Sequence, residues 1–332
     1  ARHDVIAGMG YRIIHDDIEG AFPVEFSPVS RTISLVTAFL QDDIVILPGH
    51  LALTVGSKFE HNHFSGLEIQ PNLRVLWTPT FSSTVWGAVS RAVRSPSRVD
   101  EDVISRFVFD NAGTTTIIQG RGTHHFKSEE LVAYEMGYRA TPHQRLSIDL
   151  AAFYNNYDRL RTLRASTPET QGSNVIIPFL VENEAKGQTY GGDAAITFQV
   201  SAWWRLRFGY SYLRMEVQKR KNAPLGTNID AVPGFNPEHQ GSIWSSFDLP
   251  GQIELDVAAR YVSPLPGGTQ DVPHYITGDA KLGFHLGSHV RFSVVGRDLF
   301  QARHFEFRLP ALIVPEERDI ERRVTAALAW AF

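Results

Sequence analysis

The sequence predicts an all-β chain that forms an antiparallel, up-and-down transmembrane β-barrel wall of about 14 strands. Three observations predict this fold: apolar and polar residues alternate, short turns alternate with long loops, and the alternating runs are long enough to cross a bilayer. The chain is 43% hydrophobic, yet it contains no apolar run of the length that a membrane helix needs. The chain can therefore span a membrane only with β-strands in which apolar and polar residues alternate.

The period of two is clearest in the segment that begins at Ile253. Here Leu255 and Val257 alternate with Glu254 and Asp256. The same alternation recurs at residues 51–59, 145–157, 289–296 and 323–332. Such a pattern is typical of strands with one apolar and one polar face. The runs last about 9 to 13 residues, which suits tilted strands that cross a membrane.

The connections alternate in length along the chain. Short, turn-rich connections lie at residues 47–50, 78–81, 141–144, 201–204, 249–252 and 286–289. Longer stretches separate them, and the longest, residues 93–128, is predicted to be one irregular connection. Compact soluble domains rarely carry several loops of more than about 12 to 15 residues. A membrane barrel has short periplasmic turns and long extracellular loops, so we expect the last strand to end at the periplasmic rim.

Charged residues fall on one side of the alternating runs. An Arg or Lys on the lipid side near the midplane costs about 2 to 4 kcal/mol, so these residues are expected to face a polar lumen. The mixed signs of their charges predict cross-strand ion pairs. The charged residues are Glu135, Arg139, Asp149, Arg207, Glu254, Asp256, Arg260, Asp279, Lys281 and Arg291. Aromatic residues at the short-turn rim predict a membrane-interface girdle. They are Trp77, Phe81, Trp203, Trp204, Trp330 and Phe332.

Composition excludes several classes of protein. The chain has no Cys, which excludes disulfides, thiolate metal sites and a cysteine nucleophile. The net charge of -4 gives no basic footprint, so no nucleic-acid partner is expected. Ser, His and Asp residues form no recognisable catalytic arrangement, so the sequence predicts neither an enzyme nor a cofactor.

Several segments, taken together and in order, resemble the barrel of TonB-dependent outer-membrane receptors. They are residues 37–43, 51–62, 70–79, 85–98, 128–139, 146–162, 294–300 and the terminal AWAF. The resemblance implies a barrel of about 22 strands around an N-terminal plug, in the outer membrane of a Gram-negative bacterium. It also implies energised uptake of ferric siderophores or similar scarce nutrients. The implied partners are the lipid bilayer, the siderophore-like ligand and the inner-membrane TonB complex, which acts through the plug.

The sequence departs from this family pattern because no plug segment is recognisable. We therefore expect residues 1–332 to be the C-terminal portion of a barrel, with about 14 of 22 strands. Unpaired strand edges in lipid cost several kcal/mol per group, so we expect a curved, partly open wall or an imperfectly closed smaller barrel. Two alternatives stay open, namely a passive porin-like channel and a structural or adhesive barrel.

Candidate site residues lie in the predicted extracellular loops. Arg121, His124 and His125 fall in the longest connection, and His61 and His63 flank a short extracellular turn. Loops often carry function, so these five extracellular-loop residues are predicted to contact the ligand. The two turn histidines have no acidic or thiolate partner at a fixed spacing, so no metal site is predicted.

The chain ends in an aromatic pair. Trp330 and Phe332 resemble the terminal signal that the barrel-assembly machinery reads in outer-membrane proteins. An alternative is that both residues simply end a lipid-facing aromatic row.

Overall fold

The structure, a computed structural model, describes residues 2–111, 114–229, 234, 236–265, 272–287, 289–306 and 319–330. Within these residues the one α-helix is α1 (Arg98–Glu101). Nowhere in the described residues is a helix long and apolar enough to cross a membrane. The strands are β1 (His3–Asp17), β2 (Val24–Phe26), β3 (Ser30–Leu47), β4 (Leu51–Asn62), β5 (Gly66–Thr80), β6 (Ser83–Arg94), β7 (Val103–Asn111), β8 (Thr114–Arg121), β9 (Glu129–His143), β10 (Leu146–Ala165), β11 (Glu169–Gln171), β12 (Asn174–Ser201), β13 (Trp204–Lys219), β14 (Thr227–Ile229), β15 (His239–Leu249), β16 (Ile253–Val262), β17 (Tyr275–Leu286), β18 (Val290–Arg297), β19 (Arg303–His304), β20 (Ile320–Glu321) and β21 (Arg323–Trp330).

Fourteen of these strands pair antiparallel, each with the next, and form one continuous wall. In order they are β1, β3, β4, β5, β6, β9, β10, β12, β13, β15, β16, β17, β18 and β21. This number confirms the prediction from the sequence. Among the described residues β1 pairs with β3 alone and β21 pairs with β18 alone.

The six predicted short turns all join neighbouring wall strands, and all lie at one end of the wall, the short-turn rim. The opposite end, the long-loop rim, carries the longer connections and one short turn, between β4 and β5. Three of the short turns contain glycines in the left-handed region, Gly49 (φ 73°), Gly251 (φ 81°) and Gly287 (φ 71°). Side chains with a Cβ rarely adopt this conformation, which explains the glycine at these turns.

The register places all ten predicted charged residues on one face of the wall, the polar face. Cross-strand ion pairs form on it, as predicted. Arg139 lies 2.5 Å from Asp149 across β9 and β10, and Lys281 lies 3.6 Å from Asp256 across β17 and β16. The mixed charges therefore neutralise one another locally.

The other face of the wall, the apolar face, carries large hydrophobic side chains in cross-strand rows. One row joins Leu73, Val89, Tyr134 and Tyr154 on neighbouring strands, and all four are exposed. Soluble proteins rarely expose a continuous apolar patch larger than about 300 to 600 Å². An apolar face that spans the whole wall is therefore suited to lipid.

Aromatic side chains mark the short-turn rim, as predicted. Trp203, Trp204 and Phe247 stack with ring centroids between 5.7 and 6.3 Å apart. Trp77 and Trp330 are exposed at the same rim. Phe332, the other predicted terminal aromatic, lies outside the described residues. Amphipathic rings at this level match the water interface of a bilayer.

A second group of strands stands above the wall at the long-loop rim. β12 has 28 residues, whereas a membrane strand needs about 9 to 11. Its first part pairs with β8 in parallel and with the end of β10, which also pairs with β14. β8 in turn pairs with β7, and β7 pairs with β2. We call this layer, β2–β7–β8–β12–β10–β14, the raised sheet.

The raised sheet differs from the sequence expectation for residues 93–128. These residues are not one irregular connection, because they contain α1 and the β7–β8 hairpin. The partners of this hairpin lie far away in the chain, on β2 and β12. Local periodicity does not reveal such non-local pairing.

Candidate functional site

The helix α1 lies at the foot of the β7–β8 hairpin and carries a run of buried charges. The Asp100 carboxylate accepts hydrogen bonds from the backbone N–H of Ser97 (3.0 Å) and from the Ser97 hydroxyl (2.9 Å). This arrangement closes the first turn of the helix. Arg98, Asp100, Glu101 and Asp102 are all buried. We call these four residues and their ion-pair partners the rim cluster.

On one side, the rim cluster holds the first wall strands. Arg98 Nε lies 2.9 Å from Asp102 and its guanidinium also pairs with Asp16 at the end of β1. Arg31 of β3 lies 2.6 Å from Asp102 and 3.1 Å from Glu101. Two arginines therefore bind the carboxylates of α1 and join the helix to β1 and β3.

On its other side, the rim cluster holds β6, β9 and β10. Arg94 lies 3.1 Å from Asp100 and 2.7 Å from Glu129, and Arg161 lies 3.7 Å from Asp100. Burial by itself raises the pKa of the Asp100 carboxyl, but hydrogen bonds from Arg94 and Ser97 outweigh burial and hold that pKa below its usual value. Asp100 therefore stays ionised inside the cluster.

The contacts of the rim cluster fix the base of the β7–β8 hairpin. Backbone pairing of β7 with β2 and the ion pair of Arg106 with Glu25 (2.7 Å) add to the buried charges. Further along the hairpin, Phe107 and Phe109 are exposed. The rim cluster thus positions an exposed apolar edge above the wall.

The structure does not bring the five predicted ligand contacts to one place. Arg121 ends β8 and pairs with Glu169 of β11 at 2.9 Å, whereas His124 Nδ1 lies 3.1 Å from Glu101 in the rim cluster. His125 is exposed beside it. His61 and His63 are exposed at the turn between β4 and β5.

One group in the described part of the chain has the ligand types of a metal site. The oxygen and nitrogen atoms of Glu101, Asp102 and His124 lie within 4.8 Å of one another. Both carboxylates, however, already accept hydrogen bonds from Arg31. Two guanidinium groups beside the carboxylates disfavour a second cation, so this group is a structural ion-pair cluster.

The polar face holds cavities below the long-loop rim. One of them has a volume of about 600 Å³ and is lined by residues of β15 to β18 and β21, among them Trp244 and Lys281. Glu306, from the connection after β18, closes part of it. The Glu306 carboxylate accepts hydrogen bonds from Arg260 (2.8 Å), Tyr275 (3.2 Å) and the His304 ring (3.2 Å). The described start of this connection, which ends at Glu306, is therefore held against the polar face.

Sequence reasoning missed Arg31, Arg98, Asp16 and Glu306. Arg31 pairs with Asp102, Arg98 with Asp16 and Glu306 with Arg260, and these partners lie 46 to 82 residues apart along the chain, so no local spacing reveals these three pairs. The one available signal was the dense run of charges at residues 98–102 inside a long connection.

A single wall of antiparallel strands, with one apolar face, one polar face and an elaborated rim, defines the class of transmembrane β-barrel walls. Comparison with known proteins agrees and gives the family. The family model described as "TonB dependent receptor-like, beta-barrel" matches residues 2–299. The chain therefore belongs to the TonB-dependent receptor family, which confirms the resemblance seen in the sequence. This family consists of receptors, so the prediction that the chain is not an enzyme is also confirmed.

Individual relatives are distant. The metal-pseudopaline receptor CntO of Pseudomonas aeruginosa is 28% identical over 190 residues, which are 54% of this chain and 25% of that receptor. A ferric enterobactin receptor mutant (PfeA) of Pseudomonas aeruginosa, solved with enterobactin, has a TM-score of 0.75 at 15% identity, over 98% of this chain and 51% of that one. The siderophore receptor PirA of Acinetobacter baumannii has a TM-score of 0.73 at 15% identity, over 99% and 52%. The chain thus spans about half the length of these solved receptors, and it shares their fold.

Proposed function

We propose that this chain forms part of the barrel wall of a receptor in the outer membrane of a Gram-negative bacterium. The receptor takes up ferric siderophores or a similar scarce nutrient. The observation that carries the proposal is the family match over residues 2–299. The polar lumen face and the raised sheet add support, because an import route needs a wet passage and an elaborated entrance.

The proposal places residues 1–332 in the C-terminal portion of the barrel, with the plug in another part of the same polypeptide. Two features support this placement. The chain spans about half the length of the solved relatives, and β1 and β21 do not pair with each other in the described residues. The inner-membrane TonB complex would then supply energy through that plug.

A siderophore-like ligand is supported by the relatives' names, which include a metal-pseudopaline receptor and the catecholate siderophore receptor Fiu of Escherichia coli. The proposal includes the five predicted ligand contacts at the long-loop rim. His61, His63 and His125 are exposed there, whereas Arg121 and His124 are engaged with Glu169 and Glu101. Trp330 and Phe332 keep their proposed role as a signal for the barrel-assembly machinery.

The test uses the full gene product that carries this chain. It is produced in a Gram-negative strain that lacks its own siderophore receptors, and iron-limited growth is measured with individual ferric siderophores. Growth should require both the receptor and TonB. Growth that persists without TonB would favour a passive channel instead. A folded outer-membrane protein that supports growth on no chelate would contradict the uptake role.

A further inference from the structure

The β7–β8 hairpin has one strand edge that is only partly covered. On one side, β7 pairs with β8 from Ile104 to Asn111. On the other side, β7 pairs with β2 only at its start, and the last contact is the backbone N–H of Arg106, which donates to the Pro23 carbonyl at 2.8 Å. Beyond Arg106, no residue that the structure describes makes a backbone hydrogen bond to this side of β7. We call this side of residues 107–111 the free edge.

The free edge exists because the chain before β2 turns away from β7. The backbone N–H of Val24 donates to the Ala21 carbonyl at 2.8 Å and closes a turn. Gly20 then packs back against β2, so closely that a Cβ at this position would lie 2.6 Å from the Glu25 Cα. Pro23, the last residue beside β7, has no N–H to donate. The space beside residues 107–111 is therefore left without a strand from this segment.

The register of β7 with β8 identifies the backbone groups on the free edge. Successive residues of a strand direct their backbone groups to opposite edges, and the β7–β8 register has no shift. Because Arg106 directs its N–H towards β2, Val108 and Asp110 direct their backbone groups to the same side. Each of these two residues therefore presents one N–H donor and one C=O acceptor on the free edge.

The side chains along the free edge are apolar and accessible. Phe107, Val108 and Phe109 are 44%, 43% and 46% exposed. Proteins usually protect an open strand edge with Pro or Lys, and residues 107–111 contain neither. Asp110 is the one charged residue of this segment, and its carboxylate is exposed and accepts a hydrogen bond from the Thr115 hydroxyl at 2.8 Å. The free edge thus combines unpaired backbone groups, apolar side chains and a single negative charge.

We propose that the free edge of β7 binds an extended peptide segment of another protein, which adds to the raised sheet as a further strand in line with β2. The backbone groups of Val108 and Asp110 form main-chain hydrogen bonds with the peptide, and the exposed apolar side chains contact its alternate residues. The Asp110 carboxylate favours a Lys or Arg in the peptide beside it. A second copy of β7 is a poorer partner, because it brings a second Asp110 to the same edge. The inference goes beyond the uptake role and does not rest on it.

The test measures peptide binding by fluorescence anisotropy. The purified full gene product is titrated into a fluorescein-labelled Thr-Val-Lys-Val-Thr peptide, and saturable binding is expected. A peptide that is N-methylated at every residue has no backbone donor and should not bind. A peptide that is N-methylated at alternate residues keeps one intact hydrogen-bonding edge and should still bind. Replacing the Lys of the peptide by Glu should weaken binding, because the Glu would lie beside Asp110.

Substitutions at Val108 place the peptide on the free edge. Val108→Pro removes an N–H from the free edge but none from the ladder with β8, and edge strands tolerate proline in this orientation. Binding should weaken about three- to tenfold, which corresponds to one backbone hydrogen bond. The matched control, Val108→Thr, keeps the N–H and the shape of the side chain and should bind like the wild type. Asp110→Pro tests the second donor in the same way, and hydrogen exchange of residues 114–121 checks that the hairpin stays paired in both proline variants.

Three results would overturn the proposal. The first is the absence of saturable peptide binding, and the second is equal binding of the unmodified and the fully N-methylated peptides. The third is wild-type affinity in both proline variants with an intact hairpin. Mass photometry adds a further check, since dimers that Val108→Pro abolishes, without peptide binding, would replace the peptide by a second copy of the chain. Uptake is tested by growth and this site by peptide binding, so each proposal can fail without the other.

Discussion

Replacing Arg98 by alanine should release the foot of the β7–β8 hairpin. The Arg98 side chain is 6% exposed and pairs with Asp102, which is fully buried, and with Asp16. Removing one partner of a buried ion pair costs about 3 to 5 kcal/mol. Because Asp102 keeps its contact with Arg31, we expect a loss of stability at the lower end of this range, about 3 kcal/mol. This corresponds to about 100-fold faster amide exchange through local opening.

Hydrogen exchange with mass spectrometry measures this effect on peptides that cover residues 24–29 and 95–105. The control is Arg106→Ala, which removes the partly exposed ion pair with Glu25 from the same hairpin. Such pairs contribute less than about 1 kcal/mol, so exchange should rise by less than about fivefold. Peptides from β15 and β16 should not change in either variant. Unchanged protection of residues 95–105 in Arg98→Ala would refute the role of the rim cluster.

The remaining predictions concern the last connection, the raised sheet and the terminus. Burial raises the pKa of Glu306, but hydrogen bonds from His304 and Tyr275 and the charge of Arg260 outweigh it and lower the pKa below its usual value. The carboxylate therefore stabilises the described part of this connection at neutral pH, and that effect is lost only as pH falls through the lowered pKa. Glu306→Gln should show the acid-induced protease sensitivity already at pH 7, and equal sensitivity to the wild type would count against it. Arg121→Ala removes the partly exposed ion pair with Glu169 and should change the free energy of unfolding by less than about 1 kcal/mol. If Arg121 contacts the ligand, the same substitution should lower the affinity for the chelate. Deleting Phe332 should lower the amount of heat-modifiable, folded barrel in outer membranes, and unchanged assembly would favour a simple girdle role.

The wall could be predicted because its strands and turns are marked by patterns between residues close together in the sequence. Along a strand that faces lipid on one side, apolar and polar residues must alternate, and a barrel must turn tightly at one rim. The strands can therefore be read from the alternation seen at Leu255 and Val257 and from the six short connections. The polar face followed from the same alternation, since misplaced charges such as Arg260 or Lys281 are costly in lipid.

The raised sheet was not predictable, because it depends on contacts between distant segments. The parallel pairing of β8 with β12, the ion pair of Arg31 with Asp102 and the ion pair of Arg98 with Asp16 join residues about 60 to 80 positions apart. Charge runs in loops usually indicate solvated surface. The run at residues 98–102 becomes a buried cluster because arginines from β3, β6 and β10 meet its carboxylates there.

The central claim is that the apolar face of the wall contacts lipid while the polar face contacts water. Because the chain has no cysteine, single cysteines introduced along β16 can carry a nitroxide spin label without background. In a reconstituted bilayer, labels at Leu255 and Val257 should be accessible to oxygen, and labels at Asp256 and Ala258 to a water-soluble nickel chelate, with a period of two. Labels at all four positions that are equally shielded from both reagents would contradict the account.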